Sequence, residues 1–187
     1  NDGEPVTLSG LECDFGYRDS IFKRELMDRV VITAVDLRLE RTPALNTDYP
    51  ALAAALAGRN VAALTPLDVF DAVVKLRRAR LPDPAVEPNV GSFFKNPFIE
   101  ADLAYTLVKR FPAMPLFPQA GGNFKTSAAW LIDFCGWKGQ RRGGVGVHPG
   151  HALVLVNYCG GSGVELLSLA AEIADSVART FAVSLEI

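Results

Sequence analysis

The central motif of this sequence is Asn89-Val90-Gly91-Ser92-Phe93-Phe94-Lys95-Asn96-Pro97. Gly91 allows the backbone to approach a neighbour closely or to take a positive φ angle, which other residues rarely adopt. Phe93 and Phe94 predict a short strand with one ring on each face, because successive side chains of a strand point to opposite sides. Such a strand would hold Ser92 rigidly at its edge.

Three polar or rigid residues end the motif. Lys95 supplies a charge and Asn96 a side-chain amide that both donates and accepts hydrogen bonds, where Pro97 ends the strand pairing. These residue types are compatible with two interpretations. Residues 91–97 form either an ordinary strand start followed by an Asn-Pro turn, or the rigid support of a functional serine. The motif alone does not separate the two.

Composition limits the class of protein. The chain has 187 residues, of which 49% are hydrophobic, and 19 basic residues against 21 acidic ones give a net charge of −2. A packed core is therefore expected, and a nucleic-acid partner is not, because no excess of positive charge exists to meet phosphates. No apolar run is long enough to span a membrane, and no signal-peptide pattern is present. We expect no membrane partner.

The cysteines indicate the redox environment. They are Cys13, Cys135 and Cys159, an odd number at wide spacing without a Cys-x-x-Cys pair. This pattern favours reduced thiols in a cytoplasmic protein over disulfides or a zinc site.

Hydrophobic periodicity predicts strands and helices in both halves. Alternation predicts that the first 40 residues are β-rich, with strands at 5–8 and 29–39. Thr65, Pro66 and Asp68 predict a capped helix from there to about Arg80, with its buried side at positions 69, 70, 73, 74 and 76. Further along, helices are expected at 99–111, 127–134 and 162–180, and strands at 123–125, 153–156 and 183–187.

Several blocks extend the central motif. They are Phe15-Gly16-Tyr17-Arg18-Asp19-Ser20-Ile21-Phe22-Lys23, Leu81-Pro82-Asp83-Pro84, Ala129-Trp130-Leu131-Ile132-Asp133, Gly136-Trp137-Lys138-Gly139, Val147-His148 and Ala152-Leu153-Val154-Leu155-Val156-Asn157. Together with residues 91–97 they resemble, in order, the UDP-N-acetylenolpyruvoylglucosamine reductase family, also called UDP-N-acetylmuramate dehydrogenases. The resemblance covers nearly the whole chain but only the middle and C-terminal region of the family's length.

The resemblance implies an α+β fold in two parts. Residues 1–80 would form the C-terminal part of a PCMH-type FAD-binding domain with a substrate loop. Residues 81–187 would form an α+β sandwich that binds substrate, and the Leu81-Pro82-Asp83-Pro84 break would mark the hinge between them.

The same resemblance implies a reaction and its catalytic residues. The family uses FAD and NADPH to reduce UDP-N-acetylglucosamine enolpyruvate to UDP-N-acetylmuramate, a precursor of peptidoglycan and hence of the bacterial cell wall. Ser92 matches the family's proton donor, and Arg18 matches the cation at the substrate carboxylate. Tyr17 and Arg18 would also contact the flavin. On the residues alone, Tyr17 and Arg18 could equally form an aromatic–cation contact that packs their loop.

Substrate binding is implied for a larger set of positions. These are Tyr17, Tyr49, Arg80, Lys95, Asn96 and His151. Each has a plainer explanation: Tyr49 could be an exposed loop aromatic, Lys95 a solvated charge, and Arg80 a cation that complements the helix dipole. His148 and His151 lack a third partner for zinc, so packing within a turn is the favoured interpretation and no metal is expected.

The end of the chain affects what the fragment can do. A glutamate that acts with the serine in the family would follow Glu186 by two positions, beyond Ile187. Because most flavin contacts of the family would also lie outside this chain, we expect the 187 residues alone to bind FAD weakly or not at all and to be an inactive monomer. A non-catalytic UDP-sugar-binding module is the alternative, and an unrelated α+β domain is a third interpretation.

Overall fold

The computed structural model describes residues 3–60 and 63–187. Contacts divide the described chain into two units, residues up to Ala44 and residues from Leu45 onward. The sequence-based division at residues 80 and 81 stays a prediction.

The first unit is organised by a loop around Arg24. The Arg24 guanidinium donates hydrogen bonds to the carboxylates of Asp14 and Asp19. A single 3-10 turn, Ile21–Lys23, precedes it, and an isolated bridge joins Gly16 to Asp19. The loop is therefore fixed by ion pairs and local hydrogen bonds.

The two strands expected in the first unit are absent from the structure. Residues 5–8 and 29–39 have no strand assignment, and Val31 and Leu39 are 85% and 83% exposed. Alternation shows which side chains a strand would bury, but a strand forms only where a second strand completes its ladder of hydrogen bonds. No described residue supplies that ladder, so the prediction was wrong here.

The second unit contains five helices and seven strands among its described residues. In chain order the helices are α1 (Pro50–Ala55), α2 (Pro66–Arg80), α3 (Ala101–Arg110), α4 (Ala128–Phe134) and α5 (Gly163–Phe181). The strands are β1 (Asn89–Ser92), β2 (Phe98–Ile99), β3 (Leu116–Pro118), β4 (Phe124–Thr126), β5 (Arg141–Arg142), β6 (Val145–Val147) and β7 (Val154–Asn157).

The strands form two antiparallel sheets. One has the order β1-β7-β6-β5 and the other the order β2-β4-β3. The core is built from β6 and β7 together with α3, α4 and α5. Its fully buried side chains include Leu131, Leu155, Ile173 and Val177. Helices packed on antiparallel sheets confirm the α+β class. None of the described helices is long and apolar enough to cross a membrane.

Helix starts follow the sequence closely. Thr65 and Asp68 form a capping box at α2, in which the Asp68 N–H donates to the Thr65 hydroxyl at 3.3 Å and the Thr65 N–H donates to the Asp68 carboxylate at 2.9 Å. Ser162 and Glu165 form a second capping box at α5. Each box satisfies N–H groups that have no partner within the helix.

The burial expected for α2 does not occur. The helix ends at Arg80, one residue before the Leu81-Pro82 break, yet none of its residues is buried and Phe70 is 61% exposed. Apolar spacing identifies the face of a helix that a neighbour can cover, but it does not supply the neighbour. The prediction of a buried side was wrong for the described residues.

The chain end also differs from expectation. Residues 183–187 have no strand assignment, although the Lys95 N–H donates to the Glu186 carbonyl at 2.8 Å. Val183 is buried and Leu185 packs against the core. The backbone hydrogen bond, the ion pair between the side chains of Lys95 and Glu186, and two apolar contacts fix this segment without forming a ladder, so the predicted strand is absent.

Candidate functional site

Ser92 is the last residue of β1. It lies opposite Val154 of β7, and the pairing shifts register between Asn89 and Ser92. Gly91 makes this shift possible because its φ angle is +63°. The Asn89 side chain supports the same turn, since its carbonyl accepts the Gly91 N–H at 3.0 Å. The Ser92 side chain is exposed, and within residues 3–60 and 63–187 its hydroxyl has no hydrogen-bond partner.

The residues after Ser92 anchor it to the core. The Phe93 N–H donates to the Leu153 carbonyl at 3.0 Å, and the Phe94 ring is buried. The two rings meet edge to face, with centroids 5.3 Å apart. The strand expected at Phe93 and Phe94 is instead the preceding segment, because the Gly91 bend ends the regular ladder at Ser92. Ser92 is still held at a strand edge.

Lys95 and Asn96 both have structural partners. The Lys95 ammonium lies 3.3 Å from the Glu186 carboxylate. The Asn96 side-chain carbonyl accepts the Ala128 N–H, at the first position of α4, at 3.0 Å. Asn96 therefore joins the Ser92 motif to α4, and its amide N–H groups are the part that could donate to a ligand.

His151 and Arg80 lie in the same charged neighbourhood. Burial lowers the pKa of His151 below its usual value, and the charges of His148, Arg80 and Lys138 lower it further. The Leu153 N–H donates to Nδ1 of His151 at 3.3 Å. Arg80 at the end of α2 and Lys138 in the loop after α4 place positive charge near His151, in a region that can bind an anion such as a diphosphate.

His148 has partners close to it in the fold. Its Nδ1 accepts the Gly150 N–H at 3.0 Å, and its Nε2 lies 3.8 Å from the Glu87 carboxylate. Among the described residues no group of three or more potential ligands could hold a metal ion. Packing within a turn accounts for both histidine rings.

Tyr49 caps a helix. Its backbone carbonyl accepts the N–H groups of Leu52 and Ala53 at the start of α1, and its side chain is 63% exposed. Pro50 opens α1 as its first residue, which suits its fixed φ angle. The ring is available to a ligand, and within the described residues no hydrogen bond or ring contact joins it to Ser92.

Tyr17 and Arg18 belong to the first unit, whereas the other six candidate residues belong to the second. Arg18 has a φ angle of +58°, a conformation that is uncommon for a residue with a side chain. Its carbonyl accepts the Lys23 ammonium at 2.9 Å. The loop thus holds the Arg18 backbone in a defined turn.

Sequence reasoning gave no role to two residues of this neighbourhood. Lys138 and His148 both lower the pKa of His151, although both lie in blocks that carry the family resemblance. Lys138 has no signal that a single sequence could reveal, because its distance from His151 depends on how two loops fold together. His148 lies only three positions before His151, so its proximity follows from the sequence.

The glycine-rich stretch at 140–147 has a structural role. It forms the β5–β6 hairpin, and a side chain at Gly144 would meet the backbone of Cys159 and Gly161 at 2.7 and 2.8 Å. This close approach of backbones explains the glycine at position 144.

The part of the chain that contains Ser92 and His151 also matches a known protein family. Residues 83–187, which contain Ser92 and His151, match the family described as UDP-N-acetylenolpyruvoylglucosamine reductase, C-terminal domain. The chain belongs to this family. The resemblance carried by the sequence blocks is therefore confirmed.

Individual relatives extend the match over the rest of the chain. UDP-N-acetylenolpyruvoylglucosamine reductases of Chromobacterium violaceum and Ralstonia nicotianae are each 48% identical over 184 residues, covering 98% of this chain and 54% of theirs. That of Xylella fastidiosa is 47% identical over 186 residues, covering 99% of this chain and 53% of its own. The chain spans about half the length of the curated relatives it matches.

Proposed function

We propose that this chain is the substrate-binding and proton-donating part of an enzyme that reduces UDP-N-acetylglucosamine enolpyruvate to UDP-N-acetylmuramate. The observation that carries the proposal is Ser92. Its hydroxyl is exposed and has no partner in the described chain, while its backbone is fixed by β1 and by the Phe93–Leu153 hydrogen bond. The family membership supports the choice of reaction.

The role of Ser92 follows from the chemistry of the substrate. In the whole enzyme, bound FAD would supply a hydride, originating from NADPH, for the β-carbon of the enolpyruvyl group. The α-carbon then requires a proton, which Ser92 donates from its hydroxyl. Serine is a weak acid, so it serves only when its position is fixed within hydrogen-bonding distance of that carbon. Solvent can return the proton, because Ser92 is exposed.

Charged residues hold the rest of the substrate in this proposal. Arg18 pairs with the carboxylate, where a preorganised cation stabilises the developing enolate. Arg80 binds the diphosphate with help from His151, which lies in the same cationic neighbourhood.

Further side chains complete substrate binding in this proposal. The exposed Tyr49 ring and the Asn96 amide contact the sugar and diphosphate, and Lys95 lies beside them. Tyr17 contributes at the boundary between substrate and flavin. Each of these assignments comes from matching the family's positions.

The pocket of the first unit is a poor match for the diphosphate of FAD. A pocket of about 430 Å³ in the first unit is lined by side chains between Phe22 and Ile32. Its one cation, Lys23, already donates to the Arg18 carbonyl. A dinucleotide diphosphate needs a cradle of N–H donors or cations, and this pocket does not offer one. We propose that residues 1–80 contribute only part of a PCMH-type FAD-binding domain.

The setting of the reaction follows from its product. UDP-N-acetylmuramate is a precursor of peptidoglycan, so we propose a cytoplasmic enzyme of cell-wall synthesis. The three cysteines are all free thiols, which agrees with a reducing compartment. The expectation of a monomer stays a prediction.

Ser92→Ala in a protein with the full length of the relatives tests the proposal. We expect the substitution to abolish reduction of the enolpyruvyl ether while NADPH still reduces the bound FAD, because only the proton donor is lost. Ser168→Ala, an exposed serine of α5, is the matched control and should leave turnover unchanged. Normal turnover of the Ser92 variant would refute the assignment and leave the non-catalytic UDP-sugar-binding module as the better description.

A further inference from the structure

Two hydrogen bonds connect the His151 ring to the residue that follows Ser92. The Leu153 N–H donates to Nδ1 of His151 at 3.3 Å. The carbonyl of the same leucine accepts the Phe93 N–H at 3.0 Å, and the next residue, Val154, is the partner of Ser92 across the two strands. Because Leu153 makes both hydrogen bonds, a shift of its backbone caused by the His151 ring also shifts Phe93, next to the end of β1.

The contact requires a neutral ring. A ring nitrogen that accepts an N–H carries no proton, so His151 is the tautomer with its proton on Nε2. A protonated ring would turn an N–H toward the Leu153 N–H, and the hydrogen bond would be lost. The state of one imidazole thus controls one of the contacts that fix β7 beside Ser92.

We propose that His151 is a positioning residue for Ser92, and that its neutral ring acts through Leu153 to hold the end of β1 where the hydroxyl can reach the substrate. The catalytic part of this inference rests on the proposed role of Ser92. His151 then has two roles: its Nδ1 accepts the Leu153 N–H, and its ring also makes the proposed contact with the substrate.

The surroundings keep the ring neutral. Burial is the largest cause of the lowered pKa of His151, followed by the charges of His148 in the same turn, Arg80 at the end of α2 and Lys138 after α4. Because the pKa lies below its usual value, the hydrogen bond to Leu153 is intact at neutral pH. It is lost as the pH falls through the lowered pKa.

Acidic groups in this neighbourhood are engaged elsewhere. The Glu87 carboxylate lies 3.8 Å from Nε2 of His148, and the Asp133 carboxylate lies 3.0 Å from the Lys138 ammonium. Neither carboxylate appears among the causes that raise the pKa of His151. The balance of charge around the ring is therefore positive.

The chain supplies both a conservative replacement and a control. Asn46 and Asn89 each accept, through the side-chain carbonyl, the N–H of the residue two positions on, at 3.0 Å in both cases. Asparagine at position 151 can make the same contact without titrating. His148 accepts the Gly150 N–H in the same way, but its ring is not joined to Phe93.

Amide NMR of the 187-residue chain tests the positioning contact without any substrate. The chain has two histidines, so the ring resonances give two titration curves, and His151→Asn removes one of them. We expect the amide resonances of Leu153 and Phe93 to shift with the midpoint of the His151 ring, and this shift to disappear in His151→Asn. His148→Asn should preserve the shift. Amides of Phe93 and Ser92 that stay unchanged while His151 titrates would overturn the inference.

Kinetics of the full-length enzyme test the consequence for catalysis. We expect His151→Ala to lower kcat on the order of 10-fold to 100-fold, because a small misplacement of a reacting group has effects of that size. His151→Asn should recover most of this loss and remove the acid limb of the pH profile that the ring causes. An increase in KM alone, with kcat unchanged in His151→Ala, would show a substrate contact without positioning. If Ser92→Ala were fully active, the proposed function would fail, whereas the NMR result would stand by itself.

Discussion

Lys95 contacts Glu186 through both its backbone and its side chain. Its N–H donates to the Glu186 carbonyl at 2.8 Å, and its ammonium lies 3.3 Å from the Glu186 carboxylate. Because Lys95 follows Ser92 by three positions, these contacts join the end of the described chain to the central motif. The two side chains are 34% and 76% exposed, so solvent weakens the ion pair.

The apolar contacts of this segment should matter more than its ion pair. We expect Val183→Ala to lower the free energy of unfolding by about 2 kcal/mol, since it removes buried methyl groups and leaves a cavity. Glu186→Gln should change it by roughly 0.5 kcal/mol or less, as for other exposed pairs. Urea denaturation of both variants measures the difference, and a larger loss for Glu186→Gln would contradict this order.

The backbone contact at Gly144 should not tolerate a side chain. Gly144→Ala places a methyl group 2.7 Å from the Cys159 carbonyl oxygen and 2.8 Å from the Gly161 nitrogen. We expect a loss of roughly 1–3 kcal/mol in the free energy of unfolding, as for other overpacked sites. Gly163→Ala, where nothing lies within 4 Å of the added carbon, is the matched control in the same denaturation experiment. Equal stability of the two variants would show that the hairpin can move aside.

The pKa of His151 should respond to Arg80. Arg80→Gln removes one of the charges that lower this pKa, so the pKa should rise toward the usual value and protonation should begin at a higher pH. NMR titration of the ring measures the midpoint. Arg78→Gln changes the same helix but removes no charge that affects His151, and it should leave the midpoint in place. An unchanged midpoint in Arg80→Gln would show that the charge of Arg80 does not affect the pKa of His151.

The local parts of the fold were predictable because their causes are local. Thr65 and Ser162 predict the starts of α2 and α5, because each forms a capping box with a residue three positions away. The same holds for the apolar faces of α3, α4 and α5 and for the buried β7. Gly91 was expected to allow either a close backbone approach or a positive φ angle, and it has the positive φ angle.

Two of the errors concern surfaces that need a partner. Residues 29–39 alternate like a strand but are exposed, and α2 is at most half-buried, with Phe70 of its apolar stripe 61% exposed. Periodicity encodes a tendency toward burial, whereas burial itself depends on which surface is present.

The candidate site was predictable only through family resemblance. Ser92 and Asn96 came from a motif, but the contacts of Asn96 with Ala128 and of His151 with Leu153 depend on loops that meet in space. A single sequence does not show which loops come into contact in the folded chain.

The central claim is that this chain carries the substrate site around Ser92. Calorimetric titration of the 187-residue chain with UDP-N-acetylglucosamine enolpyruvate, compared with UDP alone, tests it most directly. We predict saturable binding that is tighter than the binding of UDP, because the Ser92 region should recognise the enolpyruvyl group. Affinity no greater than that of UDP would contradict the account.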